Sequence, residues 1–286
     1  GADGRALVTV PAYSVDFSFS RAIEPAVGGG GQREITPVRF PGLSVGVAEG
    51  AAMGRLTGLL LSATPVTARI DLATPDGGGE QLVRLSGAAL TNVGRSGVEG
   101  SAGGAQVSVS FEGSLVELAP ACGWNILDSE AVTGGCPELP QTSGWLLLDG
   151  QDPGRPVAPG EHVITSWLFG VFRPFDGGGR GAVLPSFQGL SVGLTDPDAA
   201  LRARLMLDTI TRLPRAQTVT TLEPDGPAGT VRSRLQLTDV LSAGFRYQAN
   251  GYRRTASVAL DYTAIRETFE DPGADWSWNL QTGQPQ

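Results

Sequence analysis

The sequence predicts a mainly β protein, built as two tandem antiparallel β-barrel domains that each carry one short helix. Three observations predict it. Of 286 residues, 41 are Gly and 20 are Pro, a supply of turn formers that suits many short strands better than long helices. Apolar and polar residues alternate along most segments, which is the period of a half-buried strand. The pentapeptide GLSVG occurs twice, at Gly42–Gly46 and Gly189–Gly193, and the segments around it repeat in the same order.

In the first copy the strands are read from ALVTV, VDFSFS, the stretch through GLSVG, PVTARIDLAT, LVRLSGAAL and QVSVSFEG. Around GLSVG the alternating set is Val38, Phe40, Leu43, Val45 and Val47. One helix interrupts the strands of each copy. In the second copy it is DPDAALRARLMLDTITRL, with Asp196 or Asp198 as N-cap and Leu201, Leu205 and Met206 on one face. In the first copy EGAAMGRLTGLLL holds the same place, weakened by two glycines. A closed barrel or a sandwich suits such a set, because closure removes exposed sheet edges.

The repeat extends well beyond GLSVG. VRLSGAALTNV (83–93) parallels LQLTDVLSAGF (235–245), with Leu85 opposite Leu237 and Val93 opposite Phe245. VSVSFEGSLVEL (107–118) parallels VALDYTAIRETF (258–269), with Val109 opposite Leu260 and Phe111 opposite Tyr262. FSFSRAIEP (17–25) parallels WLFGVFRPF (167–175), and GWNIL around Trp124 parallels SWNLQ around Trp278. A period of about 150 residues is too long for a solenoid and is the size of an ordinary domain. The reading is a tandem duplication: a first domain over 1–130, a linker over 131–143 and a second domain over 144–286.

Composition narrows the function. The net charge is −8, and all 21 basic residues are Arg, which reflects coding bias. An acidic chain without a basic cluster argues against nucleic acid and anionic membrane as partners. The longest apolar runs, such as Leu59–Leu61, are far too short to span a bilayer. Cys122 and Cys136 flank a short stretch and read either as one local disulfide, in an oxidising compartment, or as two free thiols in the cytoplasm.

Read literally, GLSVG is the G-x-S-x-G elbow of serine hydrolases, with Ser44 or Ser191 as nucleophile. The elbow needs a strand–turn–helix in a parallel sheet and the chain order Ser, acid, His. The single histidine, His162, precedes Ser191, and no βαβ units surround either copy. The serines are therefore read as strand residues, and no catalytic, cofactor-binding or metal-ligating residue is assigned. Glu267, Glu270, Asp271 and Asp275 read as a solvated acidic stretch rather than a cation site, and Asp71 and Asp76 lack EF-hand spacing. His162 reads as a packed or hydrogen-bonded strand residue. Arg202, Arg204 and Arg212 read as an ion-paired helix face. Trp145, Trp167, Trp276 and Trp278 read as core or interface residues rather than a sugar platform.

The ordered motifs resemble the hemolysin-coregulated protein family, the type VI secretion tube subunits that share a fold with phage tail-tube proteins. The resemblance is carried by WLLLDGQDPGRPVAPGEHVITSWLFGV (145–171), then FQGLSVGLTDPDAALRARLML, the strands LQLTDV and VRLSGA, the strand VALDYTAI, and GWNIL and SWNLQ. It covers nearly the whole chain, twice. The family is usually a single domain without a cysteine pair, and the first copy here lacks a clear WLLLDG strand. The resemblance implies barrels of the tail-tube type and a non-catalytic, self-assembling subunit. It also implies rings of six barrels that stack into tubes, the protein itself as partner, no cofactor and no membrane insertion. Three double-barrel chains would then close one pseudo-hexameric ring, in a secreted or extracellular setting. The alternative function is a secreted β-rich adhesin or carbohydrate-binding module.

Overall fold

The computed structural model describes residues 8–24, 34–48, 50, 52–73, 79–96, 106–118, 122–125, 128, 130–132, 141–148, 153–172, 186–211, 214–223, 227–251, 253–270 and 274–286. The protein is mainly β. The first half runs β1 (Ala12–Ser20), a short antiparallel pair β2 (Ile23–Glu24) and β3 (Glu34–Ile35), β4 (Leu43–Ala48), α1 (Ala52–Ser62), β5 (Val66–Ala73), β6 (Gly79–Ser96), β7 (Gln106–Glu112), β8 (Leu115–Leu118), β9 (Cys122–Asn125) and β10 (Glu130–Val132). The second half runs β11 (Gly144–Leu147), β12 (Glu161–Ile164), β13 (Ser166–Leu168), the pair β14 (Val171–Phe172) and β15 (Ser186–Phe187), β16 (Leu190–Thr195), α2 (Ala199–Ile210), β17 (Arg215–Leu222), β18 (Val231–Asn250), β19 (Arg253–Asp261), β20 (Ala264–Phe269), β21 (Trp276–Asn279) and β22 (Gln284–Pro285).

Both halves lay down the same ladder. In the first, β1–β4–β7–β6 form one sheet and β5–β6–β8–β9–β10 a second, with the long β6 running through both. In the second, β13–β16–β19–β18 and β17–β18–β20–β21–β22 follow the same order, with β18 in the place of β6. Even the irregularities coincide. A bulge interrupts β6 between Leu90 and Asn92 and β18 between Ser242 and Gly244, and β5 and β17 slip between Val66/Ala68 and Arg215/Gln217. Such bulges bend a strand and raise its twist, which lets one strand serve two layers. The register moves two of the alignments read from sequence. Val109 shares its ladder place with Val258 rather than Leu260, and Phe17 shares its place with Phe169 rather than Trp167. A two-residue slip keeps the same face of a strand inward, so alternation alone could not detect it.

GLSVG is a sheet motif. Gly42 has φ +115, and a Cβ there would meet the carbonyl oxygen of Phe111 at 2.7 Å. At Gly189 a Cβ would meet the carbonyl oxygen of Leu260, the residue in the same ladder place as Phe111, at 2.9 Å. The closing glycines, Gly46 and Gly193, leave room for the hydroxyls of Ser14 and Ser166 on the neighbouring strand. Gly42→Ala therefore combines backbone strain with a fixed obstacle and should cost about 1–3 kcal/mol. Gly193→Ala meets only a rotatable Ser166 hydroxyl and should cost less. Urea unfolding midpoints of the two variants rank the effects, and equal midpoints would contradict the assignment.

The helices form where expected. The Asp198 carboxylate caps α2 by accepting from the Leu201 N–H at 2.7 Å, and Leu205 and Met206 are fully buried. α1 buries Met53 and Leu56. Two local expectations change. Val8 and Val10 of ALVTV pack against the core without joining a strand. The Trp145 strand β11 runs parallel to both its neighbours, β12 and β17, within an otherwise antiparallel set of pairings. β10 lies across the expected domain boundary at 130/131. One contiguous core runs through both halves.

Candidate assembly edges

The two halves meet strand to strand. β1 pairs with β18 from Ser14↔Asn250 to Ser20↔Gly244, so the two inner sheets become one continuous sheet in the order β6–β7–β4–β1–β18–β19–β16–β13. On its core face the joint buries Val15, Phe17 and Phe19 of β1 against Phe245, Tyr247 and Ala249 of β18. The Phe17 ring lies 6.3 Å from Phe245 and 5.5 Å from Tyr247, centroid to centroid.

On the opposite face a charge clasp spans the joint. Arg246 donates to the two Asp16 carboxylate oxygens from Nε at 3.1 Å and Nη2 at 2.6 Å, and Gln248 Nε2 donates at 3.1 Å. This bidentate grip holds the Asp16 carboxyl below its usual range, Arg246 being the main cause. Behind the sheet, α2 crosses the joint to lie against β1, β9 and β10. Its Arg202, only 4% exposed, pairs with Glu80 of β6, donates to the Pro197 carbonyl at 2.7 Å and sits 5.5 Å over the Tyr247 ring. Arg254 adds a bond to the Ala73 carbonyl at 3.1 Å.

The sheet ends on two strands without a second neighbour among the described residues. β13 pairs only with β16, and the Asn92–Ser96 stretch of β6 pairs only with β7. These ends are counterparts of the strands that meet in the joint. Val15 and Trp167 lie opposite Val45 and Val192, the same position of the two GLSVG copies, so β13 with β14 occupies the place of β1. Val93 and Phe245 lie opposite Val109 and Val258, so the end of β6 occupies the place of the end of β18. Burial differs sharply between the counterparts. Phe19 is 1% exposed and its counterpart Val171 is 47% exposed. Trp167 and Phe169 are half-buried, where Val15 and Phe17 are buried. Leu168, in the place of Asp16, is 67% exposed. Phe169, Phe187, Trp276 and Trp278 make a half-buried aromatic cluster at this edge, with Phe169 stacked on Trp276 at 6.2 Å. Leu168 and Val171 leave this edge apolar and exposed.

The other residues singled out in the sequence do not gather into one place. Ser44 and Ser191 stand inside antiparallel strands, each paired on both sides, and the helices begin only at Ala52 and Ala199. That is not an elbow. A fluorophosphonate probe should label neither serine, and stoichiometric labelling of either would overturn this reading. His162 packs its ring on the fully buried Trp145 at 5.7 Å, and Trp145 Nε1 donates to Gln217 Oε1 at 2.9 Å. Trp276 Nε1 donates to Glu267 at 2.9 Å, and burial raises the Glu267 carboxyl above its usual range. Asp275 accepts from the Phe269 N–H. Among the described residues no group of acidic, His and Cys side chains could hold a metal. Arg204 and Arg215 both reach Asp208. Cys136, Asp76, Arg212 and Asp271 lie outside the described residues, and with Cys136 so does the pairing of Cys122. No described helix is long and apolar enough to cross a membrane.

His162 supplies a pH signature. Burial lowers its pKa below the ordinary 6.5. The unfolded chain takes up this proton at higher pH than the folded chain, so stability is full above the ordinary value and declines as pH falls through it. His162→Gln should flatten the loss of stability between about pH 7 and pH 5. Unfolding midpoints across that window check it, and an unchanged slope would contradict it.

No protein-family model matches the chain, and no curated protein matches it. Solved structures do. Hcp1 from Salmonella typhimurium is 9% identical over a match covering 43% of this chain and 83% of that one, with a TM-score of 0.35. A type six secretion system protein is 15% identical, over 40% of this chain and 82% of that one, with a TM-score of 0.33. Hcp1 from Flavobacterium johnsoniae is 8% identical, over 39% and 98%, with a TM-score of 0.29.

Proposed function

We propose that this chain is a structural subunit that assembles with copies of itself, joining the β13 edge of one copy to the β6 edge of the next. The observation that supports it most is the burial contrast: Phe19 is covered by β18, while Val171, in the same place of the second half, stands open. Carrying the β1–β18 register across, Leu168 pairs with Ser96, Gly170 with Gly94 and Phe172 with Asn92. The contact is heterologous, so successive copies close into a ring or run on as a filament. The chain is read as a tandem duplication whose two barrels alternate. Three chains then make a ring with true threefold and approximate sixfold symmetry, and rings stack into a tube. The sequence resemblance to tube subunits points the same way, and the work of the protein is mechanical rather than catalytic.

The face of the continuous sheet turned from the core carries Ser14, Ser18, Ser44, Ser108, Ser191, Gly193 and Ser257, with the Asp16–Arg246 pair at the joint and Glu112, Leu168 and Arg253 toward its margins. In a closed ring this face is the inner wall, lined mainly by small polar residues. The assembly acts outside the reducing cytosol, with Cys122 and Cys136 bridged, and intact mass before and after reduction tests that part. Native mass spectrometry over a concentration series tests the assembly itself. Discrete species of three chains, or an extending series, support the reading, and a monomer at every concentration refutes it.

A further inference from the structure

We propose that two charge pairs, Asp16–Arg246 and Glu80–Arg202, fix the order in which halves follow one another, so that a first half is always flanked by second halves. This rests on the head-to-tail reading above. Every half has one flank of the β1 kind and one of the β18 kind, and shape alone would let any β1-type flank meet any β18-type flank. Charge does not. On the first half's β1-type flank stand two acids, Asp16 beside the strand and Glu80 behind it. On the second half's β18-type flank stand two bases, Arg246 and Arg202, and the four close into the joint within one chain.

The other two flanks have lost these charges. β13 carries Leu168 in the place of Asp16, and Ser233 stands at the counterpart of Glu80, since Glu80 pairs with Leu72 as Ser233 pairs with Thr221. The β6 flank carries Gly94 and Ser96 in the places of Arg246 and Gln248. Counting back from β5 and β17, Met53 of α1 stands in the place of Arg202, and both are buried on their helices. Between copies, a flank carrying Leu168 therefore meets one carrying Gly94 and Ser96, and neither ion pair has a counterpart there.

Like-with-like joints fail on the same residues. A joint of two second halves takes β1 of the same chain off β18 and sets β13 of another copy there. Leu168 then lies against Arg246, and the buried Arg202 is brought to Ser233, which stands where Glu80 would answer it. A joint of two first halves likewise frees β1 from β18 and sets it on β6 of another copy, with Asp16 facing Ser96 and Glu80 facing Met53. A buried charge stripped of its partner is strongly unfavourable, so specificity here comes from rejection as much as from attraction. The clasp on the open face adds less, because it is solvated.

Two cysteine reporters in the full-length chain separate this inference from the reading beneath it. Leu168→Cys with Ser96→Cys reports the β13–β6 joint between copies. Ser166→Cys with Asn250→Cys reports a joint of two second halves, by analogy with Ser14↔Asn250. Each pair is oxidised in the native background and in a charge-stripped one (Asp16→Ser, Arg246→Ser, Glu80→Gln, Arg202→Met), and bridges are mapped by peptide mass. The first reporter should bridge between copies in both backgrounds, which also shows that the stripped chain folds. The second should stay unbridged in the native background and rise about tenfold in the stripped one, the ratio given by ~1.4 kcal/mol of lost discrimination. No bridge from the first reporter sinks the head-to-tail reading. With the first reporter bridged, equal bridging of the second in both backgrounds, or none in either, overturns the charge rule alone.

Discussion

Phe17→Ala should remove about 3–5 kcal/mol of stability, the range for a large buried aromatic reduced to a methyl. That is a large share of the 5–15 kcal/mol typical of a folded domain. Phe17 is 2% exposed and touches three aromatic rings: Phe19 at 6.4 Å in its own strand, and Phe245 and Tyr247 across the joint. The loss therefore falls on the seam between the halves. Urea unfolding followed by tryptophan fluorescence should show an earlier midpoint and a transition split in two, because the aromatic contact that couples the two halves is weakened. A single transition with an unchanged midpoint would mean that the halves do not depend on this seam.

A second large effect concerns assembly without stability. Leu168→Lys with Val171→Lys places two cations on the open β13–β14 edge, the device by which edge strands avoid pairing. Both side chains are exposed, so the melting temperature should stay within about 1–2 °C of the parent, the small change expected of a surface substitution. The concentration at which copies associate should rise at least tenfold, a change of about 1.4 kcal/mol. Sedimentation velocity reads it directly. Unchanged association would place the contact between copies elsewhere on the molecule.

The strands and helices were legible because they obey local rules. Leu43, Val45 and Val47 alternate and are buried as alternation requires, and Asp198 caps α2 as a residue before an apolar-periodic run should. The double GLSVG invited a catalytic reading, yet its glycines answer to Phe111 and Leu260 carbonyls on a neighbouring strand. The joint was not legible. Asp16 and Arg246 lie 230 residues apart and Glu80 and Arg202 lie 122 apart, and no periodicity links residues so distant. The open edge was hidden for a related reason. Leu168 and Val171 look like ordinary strand residues, and only comparison with the covered strand β1 reveals what they lack. One signal was available: in the repeat, Asp16 of the first copy answers to Leu168 of the second, a charge exchanged for an apolar side chain. The two-residue slip in the alignment concealed it.

The most direct test of the account is a cryo-EM reconstruction of the assembled protein without imposed symmetry. The account predicts three chains in a ring, with β13 of each copy paired antiparallel to β6 of the next and Leu168 opposite Ser96. The inner sheet would then continue unbroken from copy to copy. A particle in which copies meet through other surfaces, leaving β13 and β6 unpaired, would contradict it.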